Sequence, residues 1–456
     1  MIPERCFQKC ASLKEINLPD TVKTFKTYAF SECTSLSKIN SNIEGTLVMP
    51  KSLEMLDGSG IFRLCTSIKT VDFRPAASVV KLGKYASDMF YGCTGLVSVV
   101  FGDNLNFVRT ETVTDEETGE VLSTNTYSEL PKTMFFGCTN LASTNLPRVE
   151  TILEGAFSGC TALKSIEIPS SVKSFQVGSS TVAYYGVFYN SGLERVTFEE
   201  GSAIEIIAAY SFTQCASLKE ISLPLSVKRI EKQAFYKSGL QKIVCGGSSL
   251  EYVGDYAFAD CLSLTEVQLP ETVTEYGYRV FGGCTVLSKV NSSKAGEVRV
   301  GSNATAIGGS LFSDCKNIKS AKFEFAFTSL PNGVFLGCTN LATFNSETEG
   351  EVILPDELTE IGATVFQQTA IRSVTFGTKL KAIGVATFRG CSKLTSVTIH
   401  TAIENENDAP RLGGNCFSSV GAGFAIYVPA DSVEFYRNNS NWKSSGFAEY
   451  VKAIAE

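Results

Sequence analysis

Only one histidine, one tryptophan and five methionines occur in 456 residues. With His400 as the sole imidazole, a hydrolase triad has a single candidate base. It stands in VTIHTAIENENDAPR, at the end of an alternating segment, where an exposed polar rim residue is the simpler reading. Long apolar runs are missing too: nothing approaches the roughly 18 residues a membrane-spanning helix needs. Positive charge is in short supply, 40 Lys and Arg against 47 Asp and Glu, so the net charge of −7 leaves no basic stripe for nucleic acid or anionic lipid. No P-loop appears, nor a G-x-G-x-x-G in a strand–helix context, and no cofactor is expected. The acidic pairs Glu116/Glu117 and Glu199/Glu200 read as solvated charge runs, not as the converging carboxylates of a glycosidase. The expectation is a non-enzyme. The chain opens MIPERCFQKCASL, without the basic, apolar and cleavage regions of a signal peptide. It also lacks the polar cap that a repeat array places over its first core face, so a longer precursor is the expected parent.

Repetition is what the chain has in abundance. Close copies of AFSGCTALKSIEIP (156–169) recur, anchored on Phe7, Phe30, Phe62, Phe90, Phe135, Phe157, Phe188, Phe212, Phe235, Phe258, Phe281, Phe312, Phe335, Phe366 and Phe388, with a degenerate copy at Phe417. Most anchors lie 22–24 residues apart, four intervals are 31–32, two are near 28, and one is 45. A period in the low twenties is that of leucine-rich repeats. Within a copy, L-x-x-I-x-L alternates as a half-buried strand does, and A-F-x-x-C-x-x-L spaces its apolar residues by three and four as helical turns do. Proline after the strand, at Pro19, Pro169, Pro224 and Pro270, has no N–H to continue the pairing. The predicted fold is therefore α/β: a right-handed leucine-rich repeat solenoid of about 15 repeats, with a parallel sheet on one face and short helical turns on the other.

The A-F-x-x-C-x-x-L-x-x-I-x-L-P unit, repeated over essentially the whole chain, resembles the BspA-type leucine-rich repeat family. The ending AIYVPADSVEFYRNNSNWKSSGFAEYVKAI is similar to that family's closing segment. The resemblance implies a bacterial cell-surface or secreted protein used for adhesion to host proteins, matrix or other cells. Residues 1–424 are expected to form the solenoid, with a hairpin insertion at about 106–128, and 425–456 to form a C-terminal cap. In that cap Ser432 is the predicted N-cap of a short helix carrying Val433, Phe435 and Tyr436, and Trp442, Phe447 and Val451 are predicted to cover the last core face.

Twelve of the fifteen cysteines share one repeat position. Zinc ligands come in close pairs, and only Cys6 and Cys10 are near one another, so no metal is expected. Three copies, each one residue shorter, carry Ser191, Ser238 and Thr369 instead. A position that accepts serine or threonine is selected for small volume and a weak hydrogen bond, which makes the thiols buried and free. Occasional disulfides are the competing reading, because exported proteins fold in oxidising surroundings. Cys6, Cys245 and Cys416, outside the repeat position, are the better candidates for exposure.

The outward residues of the strands are the candidate binding face: Ser165/Glu167, Arg195/Thr197, Glu220/Ser222 and Glu266/Gln268. They are polar and poor in the Trp, Tyr and Arg of interface hot spots, so binding by many weak contacts is expected, against a merely solvated surface. INSNIEGTLVMP (39–50), VNSSKAGEVRVG (290–301) and FNSETEGEVILP (344–355) read as a second repeat type with an added strand. VRTETVTDEETGEVLSTNTY (108–127) reads as a projecting β-hairpin with candidate ligand contacts at Arg109, Glu111 and Glu120. The combined expectation is a monomeric extracellular or cell-surface protein that binds host or neighbouring-cell surface or matrix proteins, or glycans, with no membrane span and no nucleic acid. A structural spacer for a domain outside this chain is the alternative.

Overall fold

The computed structural model describes residues 1–115, 117–176, 186–245 and 249–455; Glu116 of the hairpin lies outside them. The alternating segments fold as short strands with apolar residues inward: in Ser165–Ile168, Ser165 and Glu167 are exposed while Ile166 and Ile168 are buried. The chain divides into two compact units, Met1–Leu240 and Gln241–Glu456. In the first, Glu15–Ile16, Lys38–Ile39, Thr46–Val48, Thr70–Asp72, Ser98–Val100 and Ser143–Thr144 pair in parallel, in chain order. In the second, the same kind of ladder runs from Lys242–Cys245 to Val451–Ala453. The extended segment ahead of A-F forms a further parallel ladder in each unit, as where Thr24–Lys26 pairs with Met55–Asp57 and Ser329–Leu330 with Glu360–Ile361. Each repeat thus contributes two strands. The N-S segments add the expected extra strand, pairing Ile39 with Leu47, Val290 with Val298 and Phe344 with Val352 across one short loop each.

The expected helical turns are a different structure. In the copy at Phe30, the N–H groups of Ala29, Ser31 and Cys33 donate to the carbonyls three residues back, Lys26, Tyr28 and Phe30, as in consecutive β-turns. The alternate N–H groups of Tyr28, Phe30 and Glu32 instead donate to Ser59, Ile61 and Arg63 of the next repeat at 2.9, 2.9 and 2.7 Å. Tyr28 and Glu32 have φ of 52° and 62°, left-handed values that end any helix. A helix would use every N–H internally; this turn directs half of them along the stack, joining repeats on their back face as the strands join them on the front. Among the described residues the α-helices are Val433–Asn438 and Ser440–Ser445.

Two side-chain rows run through these turns. The anchor phenylalanines stack ring on ring, 5.3 Å for Phe30–Phe62, 5.5 Å for Phe62–Phe90 and 5.5 Å for Phe281–Phe312, with the planes within 10° of parallel. Beside them the buried thiols donate to the phenylalanine carbonyl of the preceding repeat, as in Cys65 to Phe30 at 3.0 Å, Cys93 to Phe62 at 3.0 Å, Cys160 to Phe135 at 3.2 Å, and Cys391 to Phe366 at 3.0 Å. That carbonyl also accepts the backbone N–H three residues on, Cys65 N to Phe62 O at 3.2 Å for instance, so both lone pairs of a buried oxygen are used. In a shortened copy the Thr369 hydroxyl donates to Phe366 O at 2.8 Å and sits 3.3 Å from the Cys391 sulfur. Gly192 of another shortened copy passes so close to Thr161 that a Cβ there would lie 1.9 Å from the Thr161 carbonyl oxygen. Eleven of the twelve repeat cysteines are buried, Cys10 in the first repeat being exposed with Cys6. Cys416, expected to be among the more exposed, is buried because its turn continues the stack, with Phe417 5.4 Å from Phe388. Cys245 is half-buried.

At the C-terminus Val451–Ala453 adds a parallel strand to Ala425–Val428, Phe447 meets Phe417 edge-on at 5.3 Å, and Tyr436 and Trp442 are fully buried. The Trp442 indole N–H donates to Pro410 O at 2.8 Å, which leaves no ring free as a ligand platform. Ser432 makes no side-chain cap; its hydroxyl is drawn 3.1 Å to the Ile403 carbonyl, and Asn439 caps the second helix instead.

Replacing sulfur by oxygen keeps the donor and nearly the volume, so Cys160→Ser should cost about 1–2 kcal/mol in denaturant unfolding. Phe157→Ala, which opens a gap in the ring stack, should cost about 3–5 kcal/mol; equal losses would contradict the packing role. Burial raises the thiols, Cys215 to about 11 and Cys93 to about 12 from an ordinary 9.0. The unfolded chain then binds fewer protons than the folded one above pH 9, so stability should fall as pH rises from 9 towards 12. A flat stability profile over that range would refute the burial of these groups. In native protein at neutral pH a thiol reagent should react fast only at Cys6 and Cys10.

Candidate functional site

The strands Ser165–Ile168, Arg195–Phe198 and Glu220–Leu223 lie in the first unit and turn Ser165, Glu167, Arg195, Thr197, Glu220 and Ser222 outward, all exposed. The first two pair in parallel, Ser165 opposite Arg195 and Glu167 opposite Thr197. On either side of this two-stranded ribbon the front ladder is broken: among the described residues no backbone pairing joins it to Ser143–Thr144 or to Glu220–Leu223. The back of the stack is unbroken there, with Phe157 N bonded to Val187 O and Phe188 N to Ser211 O, both at 2.9 Å. Phe157, Phe188 and Phe212 keep ring spacings of 5.5 and 5.3 Å. The repeats are hydrogen-bonded at the turns, while on the front these neighbouring strands lie near one another without forming a ladder among the described residues.

Hollows lie along these unpaired strands. One of about 810 Å³ lies between Arg195–Phe198 and Glu220–Leu223 and extends past Glu199–Ser202 to Pro224 and Leu225. A second, about 630 Å³, is lined by Lys164, Ser165, Glu167, Glu194, Arg195 and Lys219, and a third, about 490 Å³, by Asn145, Arg148, Ser165, Glu167 and Glu199. Shared lining residues make them a run of grooves along one face. Some of its charges are committed: Lys164 pairs with Glu194 at 3.1 Å, and Glu199 accepts the Ser170 N–H and hydroxyl, both at 2.7 Å, bonds that hold its carboxyl below the usual range. Arg195, Lys219, Glu167 and Glu220 have no ion-pair partner among the described residues. The alternation in the strands located four outward pairs but missed Lys164, Glu194 and Lys219, which follow the conserved leucine of each copy and come to line the groove only once neighbouring repeats are stacked.

The other expected residues sit elsewhere. Glu266 and Gln268 belong to the second unit, where Glu266 is half-buried and faces Lys289 at 3.9 Å. At the hairpin, strands Asn106–Thr114 and Val121–Leu130 pair antiparallel. Arg109 is engaged there by the carboxylates of both Glu111 and Glu129, and lies 4.4 Å over the Tyr127 ring. Arg109 and Glu111 therefore brace the hairpin foot against a carboxylate, Glu129, that alternation alone did not mark, whereas Glu120 stands exposed near the turn. A hollow of about 410 Å³ beside this brace is lined by Lys84, Tyr85, Lys132, Glu154 and Gln176. His400 is exposed just after Ser396–Ile399. Among the described residues no three His, Cys, Asp or Glu side chains gather as metal ligands, and no helix is long and apolar enough to cross a membrane.

The family model described as "BspA type Leucine rich repeat region" matches in 6 copies, over residues 1–86, 58–179, 181–295, 291–350 and 344–420. A leucine-rich repeat protein from Bacteroides ovatus superposes with a TM-score of 0.64 at 20% identity, covering 97% of this chain and 92% of that one. A leucine-rich repeat protein of T. pallidum is 26% identical over 43% of this chain and 74% of its own, with a TM-score of 0.32. A leucine-rich cell surface protein from Faecalibacterium prausnitzii is 18% identical, covering 80% and 90%, with a TM-score of 0.38. No curated protein matches the chain.

Because the outward residues touch no core, Glu167→Ala, Arg195→Ala and Glu220→Ala should each shift unfolding free energy by less than about 0.5 kcal/mol. A loss of several times that in a denaturant titration would mean that these side chains hold the fold together.

Proposed function

This chain belongs to the BspA-type leucine-rich repeat family, and we propose that it is a non-enzymatic surface or secreted binding protein whose ligand, a protein or glycan of a host or neighbouring cell, lies along the grooved face of the first unit. The observation that carries this reading is the pair of breaks in the front ladder around Ser165–Ile168 and Arg195–Phe198, which replace a flat sheet with hollows edged by unpaired charges of both signs. Lys219 and Arg195 suit acidic groups or sugar hydroxyls, and Glu167 and Glu220 suit amines and amides. The face offers many polar contacts and few aromatic anchors, so affinity is built additively and falls as salt screens it. The family's expected role in adhesion, and a place outside the cell, agree with such a surface.

The test is an array of extracellular-matrix proteins and glycans probed with the intact chain and with an Arg195→Glu/Lys219→Glu double variant. Reversing two groove cations should weaken a true ligand by at least about tenfold, roughly 1.4 kcal/mol, with melting unchanged. An array without a ligand, or a ligand held equally well by the double variant, overturns the reading.

A further inference from the structure

The hairpin offers a partner unpaired backbone, where the groove offers side chains. Asn106–Thr114 pairs with Val79–Leu82 only as far as Arg109, opposite Leu82, and Val121–Leu130 pairs with Thr151–Ile152 only through Glu129 and Leu130. Beyond those points the two strands continue with each other alone, out to Val121 opposite Thr114. Both outer edges of the projecting part therefore have no strand partner among the described residues.

The direction of the free groups on the second strand follows from its foot. Ser128 O accepts the Glu150 N–H at 3.0 Å and Leu130 O accepts that of Leu153 at 3.1 Å. Backbone groups alternate sides along a strand, so even-numbered residues here point away from Asn106–Thr114 and odd-numbered ones point into it. The register is regular from Ser123 to Ser128, and the bulge lies between Val121 and Ser123 at the tip. Thr124 and Thr126 thus hold their N–H and C=O groups out to solvent, while Ser123, Asn125 and Tyr127 make the rungs of the hairpin.

Natural edges of this kind are guarded by lysine, proline or inward charge. Residues 121–128 read VLSTNTYS, with neither charge nor proline, and Thr124, Thr126, Val121 and Leu122 are exposed. The charge of the projection is one-sided. Arg109 is consumed by Glu111 and Glu129, whereas Asp115, Glu117 and Glu120 at the turn face no cation among the described residues. A neutral, β-prone edge ending in carboxylates complements an extended segment that is itself neutral and β-prone and carries lysine or arginine at one end. It is less suited to a second copy of this chain, which is acidic overall at −7.

We propose that the outer edge of 121–127 is a strand-addition site, at which an extended segment of a partner protein pairs with the backbone of Thr124 and Thr126 while its basic end reaches Glu117 and Glu120. Main-chain pairing supplies the affinity, and the acidic turn sets which end of the partner lies outward. This site is independent of the groove, and either stands if the other fails.

The probe is a synthetic peptide of alternating threonine and valine, about one strand long, with two lysines at one end, titrated against the intact chain. Hydrogen exchange should slow at the amides of Thr124 and Thr126 on binding and stay as it was at Ser123, Asn125 and Tyr127. Thr126→Pro removes an outward N–H without removing a rung, and should weaken the peptide by about tenfold, the worth of one or two backbone bonds. Binding should weaken as salt rises, and Glu117→Gln/Glu120→Gln should make that dependence shallower. A peptide N-methylated on alternate residues should not bind, which decides the matter even if the proline variant loosens the hairpin. No binding, equal binding by the N-methylated peptide, or unchanged exchange at Thr124 and Thr126 overturns the proposal. So does self-association of the free chain that Thr126→Pro abolishes, because the occupant is then a second copy.

Discussion

Wherever a turn carries a buried cysteine such as Cys65 or Cys93, that repeat is fastened to the one before it through the carbonyl of the earlier anchor phenylalanine. In the copy at Phe62 that oxygen receives the Cys65 N–H from its own turn and the Cys93 thiol from the following one. An unsatisfied buried acceptor costs about 1–3 kcal/mol, and the oxygen belongs to a fully buried phenylalanine in a row of stacked rings. The thiol is the smallest common side chain that is both apolar enough for that space and able to donate. Serine and threonine stand in only where the turn is a residue shorter and the hydroxyl finds another acceptor or a neighbouring sulfur, as Thr369 does with Phe366 and Cys391. The row of cysteines is thus a consequence of how repeats are joined, and its thiols are held far from the thiolate state that metal binding or redox chemistry requires.

Because the turns carry inter-repeat hydrogen bonds of their own, the strands on the front need not pair everywhere. An array joined only by its sheet would come apart where the ladder stopped. Here the ladder stops on both sides of Ser165–Ile168 and Arg195–Phe198 while the bonds at Phe157 and Phe188 and the ring stack continue behind. In the first unit the back face keeps the repeats in register where the front strands do not pair, and charged hollows line that part of the front.

The sequence made the front strands, the added strands of the N-S segments and the interior place of the cysteines legible, since each depends on a pattern inside one copy. It misled about the turns. Apolar spacing of three and four residues is shared by a helical turn and by consecutive β-turns, and only the left-handed φ of residues such as Tyr28 and Glu32, neither of them glycine, separates the two. The ladder breaks were not legible, because they are relations between copies. Nor was the engagement of Arg109: in alternation it looks like any exposed cation, and only the fold brings Glu129 from the opposite strand against it. Ser432 illustrates the same limit, a plausible helix cap whose hydroxyl is claimed by Ile403, distant in the chain.

Regular copies consume their own bonding capacity, each strand pairing with the next and each turn with its neighbour, so a perfectly periodic stack exposes side chains and little else. Unspent capacity arises where the ladder stops or the period fails. The front ladder stops on either side of the Phe157 and Phe188 copies, at the ordinary intervals of 22 and 24 residues from Phe135 and to Phe212, and the 45-residue interval from Phe90 to Phe135 contains a hairpin longer than the ladders on either side of it. The first leaves unpaired charges beside a groove, which favours recognition by side chains over an extended polar surface. The second leaves main-chain donors and acceptors on a neutral edge, which favours recognition of an extended backbone. Lengthening a repeat costs a stack of this kind little, since loop-closure entropy grows slowly with length and the turns still hold the neighbours together. Departures from the period can therefore diversify the binding surface while the phenylalanine and cysteine rows keep the core unchanged.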